Sequence, residues 1–182
     1  MPAYEYVLLG AGWLIWFTPF PLNKWNFQTP QKVDPRARWG LLLELVAYSV
    51  LWQTAFWRRS PEAWRTTLSV LFLILAGLLS WTATHALGRH LRFDAALSAD
   101  HELVRSGPYR MLRHPIYTSM LCMLLGTGFL ITPLPLLVLG IAVFVAGTEI
   151  RVRSEDGLLH SRFGDQFRDY QRTVSAYVPF LR

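Results

Sequence analysis

The sequence is poor in charged residues and has almost no cysteine. Only 16% of its 182 residues are Asp, Glu, Lys or Arg, whereas a soluble domain usually carries about 25%. The single cysteine, Cys122, excludes an intramolecular disulfide and any metal cluster built on several cysteines, and we predict no metal site. Polar residues are too few for a disordered chain. A chain with so few charged residues has more large apolar side chains than a small globular domain can bury.

The apolar residues are gathered in long runs. Hydrophobic residues make up 52% of the chain and aromatic residues 14%. Five apolar runs contain no Lys or Arg: Tyr4–Phe20, Trp39–Trp57, Thr66–Leu87, Pro115–Ile131 and Leu134–Glu149. A helix of about 20 such residues spans a bilayer, and continuous runs favour helices over a barrel. The sequence predicts an all-α integral membrane protein with about five transmembrane helices and a tight hairpin between helices four and five.

The basic residues are distributed unequally between the segments that join these runs. If all five runs span the membrane, fifteen of the eighteen Lys and Arg lie on one side, and Arg58, Arg59 and Arg65 lie on the other. The positive-inside rule then predicts that the N-terminus faces outward and that the C-terminal segment is cytoplasmic. The net charge of +6 is explained by orientation and by contact with anionic lipids. We expect membrane lipids as partners, and no nucleic acid.

The chain is interpreted as one membrane domain, 1–182, with a three-helix scaffold over 1–87 and a functional part over 88–182. The cytoplasmic loop Gly88–His114 is longer than the other connections, and long loops are often functional. The first run lacks a basic leader and a cleavage site, so we expect it to be retained.

A helical stripe of apolar residues follows the last run. Its members recur at spacings of three and four residues: Leu159, Phe163, Phe167, Tyr170 and Val174. The stripe predicts an amphipathic helix on the cytoplasmic interface, divided at Gly164 and ended by Pro179.

The first polar constellation is the sequence GPYRMLRHPIY at Gly107–Tyr117. Pro115 suits the first position of a helix, which leaves Arg113 and His114 at a helix entrance that favours an anion. Arg113 has the geometry to bind a carboxylate or phosphate, and Tyr117 shares its helical face. The same residues also suit an interface anchor that reaches lipid headgroups, and the residues alone leave both interpretations open.

The second constellation is a group of three acids where the last run ends: Glu149, Glu155 and Asp156. Acids near a membrane usually have a function or a partner. We interpret Glu155 as a group that holds a cation or hydroxyls. Asp156 fits better as a partner of Arg151 and Arg153 on a solvated helix.

Glu44 lies in the middle of the second run. A carboxyl at that depth is either protonated or paired with a His or a hydroxyl on a neighbouring helix.

The two cytoplasmic blocks together resemble motifs of the isoprenylcysteine carboxyl methyltransferase family, which is related to the membrane phospholipid N-methyltransferases. The family pattern GPYxxxRHPxY is complete at Gly107–Tyr117. Its second pattern, EExxLxxxFGxxYxxY, begins at Glu155 and departs at two positions, where Asp156 replaces a Glu and Phe167 replaces a Tyr. The resemblance covers about Leu103–Pro179, under half of the chain.

The resemblance implies a methyltransferase that uses S-adenosylmethionine at the cytoplasmic face of the membrane. It implies catalytic roles for Arg113 and Glu155, and a cofactor pocket formed by a larger set: Leu103, Val104, Gly107, Tyr109, His114, Tyr117 and Glu155. Whether Arg113 holds the carboxylate of the cofactor or that of the acceptor stays open. The implied acceptor is lipophilic: a prenylcysteine carboxylate, a phospholipid amine, or a small apolar acid, thiol or phenol.

Two other functions remain as alternatives at this stage. One is a sterol-type membrane reductase that uses NADPH. Five membrane spans are few for such an enzyme, and the block that contains Phe163 and Gly164 argues against it. The other is a non-enzymatic lipid-binding or transport protein in which Arg113 holds headgroups. The oligomeric state is not predicted.

Overall fold

The computed structural model describes residues 3–23, 32–53, 58–91, 96–97 and 102–178. The end of the second predicted span, at 54–57, and the predicted helix end at Pro179 lie outside the described residues, as does most of the loop between 92 and 101. Seven helices form the described part of the chain: α1 (Ala3–Phe17), α2 (Pro19–Leu22), α3 (Ala37–Val50), α4 (Ala63–Leu87), α5 (Pro115–Ile131), α6 (Leu134–Phe163) and α7 (Asp165–Thr173).

Two helical segments, Ala63–His90 and Leu134–Phe163, are long and apolar enough to cross a membrane. Pro115–Ile131 is a shorter apolar helix, and its bounds coincide with the fourth predicted run. The helices α1 and α3 have 15 and 14 residues, fewer than the about 20 that a full span requires. A helical membrane fold is thus supported, while the number of five spans and the orientation of the termini stay predictions.

The helices pack in two extensive antiparallel pairs. The helix α4 packs on α5, where Ser69 donates a hydrogen bond to the carbonyl of Gly126, and α3 packs on α6. Only Thr132 and Pro133 separate α5 from α6, as the predicted tight hairpin requires. The two helices of this hairpin nevertheless contact α4 and α3 more extensively than they contact each other. The division of the chain into a scaffold and a functional part stays a prediction.

The crossing of α3 and α6 depends on two glycines. An added Cβ at Gly147 would lie 2.6 Å from the backbone oxygen of Gly40, and one at Gly40 would lie 2.5 Å from the backbone oxygen of Gly147. Small residues allow helix backbones to approach in this way in membranes. The close approach brings the side chains of α3 within reach of the polar second half of α6.

The helix α6 continues for fourteen residues beyond the end of the fifth predicted run, to Phe163. Gly164 then adopts φ +53°, a conformation that glycine adopts at no steric cost, and α7 begins in a new direction. The predicted division of the stripe at Gly164 is therefore present.

The stripe residues pack on one another and on a loop residue. Phe167, Tyr170 and Val174 form a buried cluster with Leu159 and Phe163, to which Leu103 adds its side chain. The apolar face of α7 is thus covered by protein, and the location of this helix at the membrane interface stays a prediction.

A two-residue antiparallel ladder interrupts the predicted all-α architecture. The strand β1 (Lys32–Val33) pairs with β2 (Ala96–Leu97), with Lys32 opposite Leu97. In the described residues these are the only strands, and they join the connection after α2 to the loop after α4.

Replacement of Gly147 by Ala should destabilise the protein. Alanine favours a helix by about 1 kcal/mol over glycine, but here its Cβ would meet backbone atoms that cannot move independently, and such overpacking costs about 1–3 kcal/mol. Thermal unfolding in detergent, followed by circular dichroism, should show a lower Tm. The matched control is Gly157→Ala in the same helix, where an added Cβ has no neighbour within 4 Å. A Tm of Gly147→Ala equal to or above that of Gly157→Ala would contradict this account.

Candidate functional site

The backbone before α5 is held by the segment that follows α7. The N–H of Arg113 donates to the carbonyl of Ser175 at 2.8 Å, and the N–H of His114 donates to that of Ala176 at 2.8 Å. A parallel bridge joins Leu112 to Ser175. Since two successive peptide groups are fixed, the side chains of Arg113 and His114 are directed towards α6.

The imidazole of His114 lies between two carboxylates. Its Nε2 is 2.9 Å from Asp156 Oδ1, and its Nδ1 is 3.2 Å from Glu155 Oε2. Both ring nitrogens donate only in the protonated imidazolium. Burial lowers the pKa of His114, but the hydrogen bonds and charges of Asp156 and Glu155 outweigh it and raise the pKa to about 9. His114 is therefore a cation at neutral pH.

Asp156 is the centre of the buried part of this cluster. Besides His114 it binds Arg113, whose Nη2 lies 3.0 Å from Oδ2, and it accepts a hydrogen bond from Gln171 Nε2 at 3.1 Å. The predicted pairing of Asp156 with Arg151 and Arg153 is wrong. Asp156 and Arg151 are five residues apart on one helix, and so point about 140° apart around its axis.

The guanidinium of Arg113 is engaged by the protein itself. Its Nη1 donates to the carbonyl of Val174 at 2.5 Å and lies 3.5 Å from that of Gln171, while Nη2 binds Asp156. Its Nε is buried and has no hydrogen-bond partner within the described part of the chain. The anion expected at this helix entrance is thus supplied by the chain, as the carboxylate of Asp156.

Glu155 is the accessible member of the cluster. Its side chain is 26% exposed, compared with 6% for His114 and 13% for Asp156. The hydroxyl of Tyr117 donates to Glu155 Oε1, and the rings of Tyr117 and His114 stack with their centroids 5.6 Å apart. Glu155 is therefore held by a partner at each oxygen while its side chain stays partly exposed.

Two of the predicted wall residues, Leu103 and Tyr109, lie against α7, whereas Gly107 lies beside Ala86 of α4. Gly107 opens a short 3-10 helix with φ +57°, and Tyr109 in it is buried, with its carbonyl accepting a hydrogen bond from Tyr170 at 2.5 Å. Leu103 packs on the apolar cluster of α7, and Val104 is half-buried. The structure thus brings Arg113, His114, Tyr117 and Glu155 into one cluster, with Leu103 and Tyr109 joined to it through α7.

A family model described as phospholipid methyltransferase matches residues 64–166, more than half of the chain. The chain belongs to this family. The match includes all of α5 and α6 and ends at the start of α7.

The curated relatives include isoprenylcysteine methyltransferases and a protein named for metal resistance. A protein-S-isoprenylcysteine O-methyltransferase of Tribolium castaneum is 32% identical over 65% of this chain and 43% of its own length. The cobalt-zinc-cadmium resistance protein CzcN of Cupriavidus metallidurans is 30% identical over 86% of this chain and 67% of its own length. The chain spans about half the length of the isoprenylcysteine methyltransferases that it matches.

A solved structure has the same fold. The eukaryotic intramembrane Ras methyltransferase ICMT aligns with 96% of this chain and 63% of its own, with a TM-score of 0.56 at 24% identity. The agreement extends over the N-terminal helices, which match no motif of the family in the sequence.

Three contributions to the candidate site of this phospholipid methyltransferase family member were not predicted from the sequence. Asp156 was recognised as part of the family block and was predicted to lie on a solvated face of its helix. Its position directly after Glu155 was the signal that the site contains a second carboxylate. The side chain of Gln171 lies outside both motifs, and the backbone at Val174–Ala176 has no sequence signal, since backbone carbonyls are common to all residues.

Glu44 lies outside this cluster and is paired. It accepts a hydrogen bond from Thr148 Oγ1 at 3.0 Å, and its Oε2 lies 2.8 Å from Arg151 Nη1. The predicted hydroxyl partner is confirmed, and the cationic partner Arg151 was not predicted.

The stability of the protein should fall as the pH rises from about 6.5 to about 9. The pKa of His114 is raised from its ordinary value of 6.5 to about 9 in the folded protein. Its contribution to the free energy of unfolding is therefore complete below pH 6.5 and is lost as the pH rises through about 9. The difference corresponds to about 3 kcal/mol. Chemical unfolding at pH about 6 and about 10 should show a smaller pH effect for His114→Gln than for the parent. Equal pH effects in the two proteins would exclude this role of His114.

Proposed function

We propose that the protein is an integral-membrane, S-adenosylmethionine-dependent methyltransferase that acts on a lipophilic acceptor at the cytoplasmic face. The observation that carries the proposal is the carboxylate of Glu155, which is fixed by Tyr117 and His114 and remains partly exposed. Relatives named as isoprenylcysteine O-methyltransferases support the reaction type.

The residues present fit the proposed cofactor. S-adenosylmethionine carries a sulfonium, an amine and ribose hydroxyls. A carboxylate attracts the positive charge of the first two and accepts hydrogen bonds from the amine and the hydroxyls. Each oxygen of Glu155 already accepts one hydrogen bond, and a carboxylate oxygen accepts a second. We therefore assign Glu155 as the group that binds the cofactor's amine or ribose, with His114 and Tyr117 holding it. Leu103, Val104, Gly107 and Tyr109 are proposed as the pocket wall.

Arg113 is proposed to act mainly by positioning. Two of its nitrogens are used by Asp156 and by the carbonyls after α7, so it orients Asp156 and, through Asp156, the imidazolium of His114. This arrangement favours an indirect role for Arg113. The sequence had left open that Arg113 binds the carboxylate of a ligand directly.

The protonation of His114 favours an acceptor that is already an anion. An imidazolium that donates from both nitrogens is not available as a general base at neutral pH. A carboxylate nucleophile needs no proton removed, whereas an ammonium or a phenol does. When bound, S-adenosylmethionine would supply an electrophilic methyl group on sulfur, and the chain would need to supply no base for an acceptor carboxylate. Of the candidate acceptors, a lipophilic carboxylate such as that of prenylcysteine therefore fits best.

Calorimetry on the purified protein in detergent should detect binding of S-adenosylhomocysteine and none of NADPH. Glu155→Gln should weaken this binding about 10–100-fold, because loss of a charge-assisted hydrogen bond costs about 1.5–3 kcal/mol. The matched control is Asp169→Asn, which removes the carboxylate of an exposed ion pair on α7 and should leave the affinity unchanged. Absence of binding to the parent protein would refute the proposed function, and unchanged binding by Glu155→Gln would refute the site.

A further inference from the structure

We propose that Glu44, on α3, is a positioning residue of the candidate site and acts on Glu155 through Arg151 and Tyr117. The inference rests on the proposed function, because the effect is read as cofactor affinity. It assigns a role in the site to the N-terminal part of the chain, which the family motifs do not cover.

The first contact is a buried ion pair between α3 and α6. Glu44 is 1% exposed and Arg151 is 7% exposed, and their charged atoms are 2.8 Å apart. Thr148 donates to the other oxygen of Glu44, so the carboxylate is held at both ends. The close backbone approach at Gly40 and Gly147 brings α3 near enough for this pairing.

The second contact is made by the same guanidinium on the ring of Tyr117. The central carbon of Arg151 lies 4.8 Å from the centroid of this ring, within the range of a cation–π interaction. Arg151 thus lies between Glu44 and Tyr117, and its place is set by both.

The third contact carries the effect to the site. The hydroxyl of Tyr117 donates to Glu155, and the ring of Tyr117 stacks on His114. A shift of the Arg151 guanidinium therefore moves the ring whose hydroxyl fixes the accessible carboxylate. Three consecutive side-chain contacts therefore connect Glu44 to Glu155, and each of them is changed when one of its two side chains moves.

Stability alone is a poor explanation of the Glu44–Arg151 pair. Removal of two charges from water is expensive, and well-packed apolar residues often stabilise a protein as well as a buried ion pair does. A buried carboxylate that balances Arg151 has a further effect. Without it, the guanidinium is no longer fixed beside the Tyr117 ring, and the hydroxyl of Tyr117 loses its fixed position at Glu155.

The test is the affinity for S-adenosylhomocysteine of Glu44→Gln, which keeps the shape of the side chain and removes its charge. We expect binding about 3–10-fold weaker than in the parent. The control is again Asp169→Asn, an exposed carboxylate-to-amide change, with unchanged affinity expected. Circular dichroism and a Tm above the assay temperature establish that each variant is folded.

A double-variant cycle distinguishes positioning from a general structural effect. Tyr117→Phe keeps the ring and removes the hydroxyl that binds Glu155. If Glu44 acts through this hydroxyl, Glu44→Gln should weaken binding much less in the Tyr117→Phe background than in the parent. Equal losses in the two backgrounds, or unchanged affinity of Glu44→Gln alone, would overturn the inference.

A second variant keeps the inference testable if Glu44→Gln does not fold. Thr148→Val removes only the hydroxyl that holds Glu44 Oε1, and it should weaken binding in the parent background but not in Tyr117→Phe. Parent protein that fails to bind S-adenosylhomocysteine refutes the proposed function; parent protein that binds while these variants bind equally well refutes only the role of Glu44.

Discussion

The candidate site depends on one cation held between two carboxylates, the imidazolium of His114 with Asp156 and Glu155. Together with Arg113 the cluster contains two positive and two negative groups, so its net charge is zero. Removal of a single partner from a mostly buried cluster leaves an uncompensated charge, which is far more destabilising than the intact pair is stabilising. The four groups form a chain of contacts, Arg113 to Asp156 to His114 to Glu155, in which Glu155 is the most exposed.

The pairing of the helices brings the residues of this cluster together. The hairpin of α5 and α6 is closed at one end by a two-residue turn, and near its other end His114 and Asp156 connect the two helices. Between these points α4 supports α5 and α3 supports α6. The close approach of the backbones at Gly40 and Gly147 fixes the position of α6 relative to α3. The N-terminal helices thus define where the carboxylates of α6 stand.

Local patterns in the sequence predicted much of this fold. The run Pro115–Ile131 gave the bounds of α5 because a proline starts it and Thr132-Pro133 follow it, and Gly164 was correctly predicted to divide the last stripe. The last apolar run ends at Glu149, and the continuation of α6 through polar residues to Phe163 agrees with the helical stripe that begins at Leu159 and is divided at Gly164. The site residues His114, Tyr117 and Glu155 were found from their motifs. The partners of Asp156 and the cationic partner of Glu44 were not predicted, because no local pattern in the sequence specifies how the helices that carry them are rotated about their axes.

The pairing of Leu112–His114 with Ser175–Ala176 joins segments about sixty residues apart. Everything between them, including the hairpin and α7, must be in place before Arg113 and His114 obtain their backbone partners. Until then the charged groups of the cluster have no fixed geometry. During synthesis the cluster therefore forms only after Ser175 and Ala176 have been made, so its assembly marks a chain in which the hairpin and α7 are already folded.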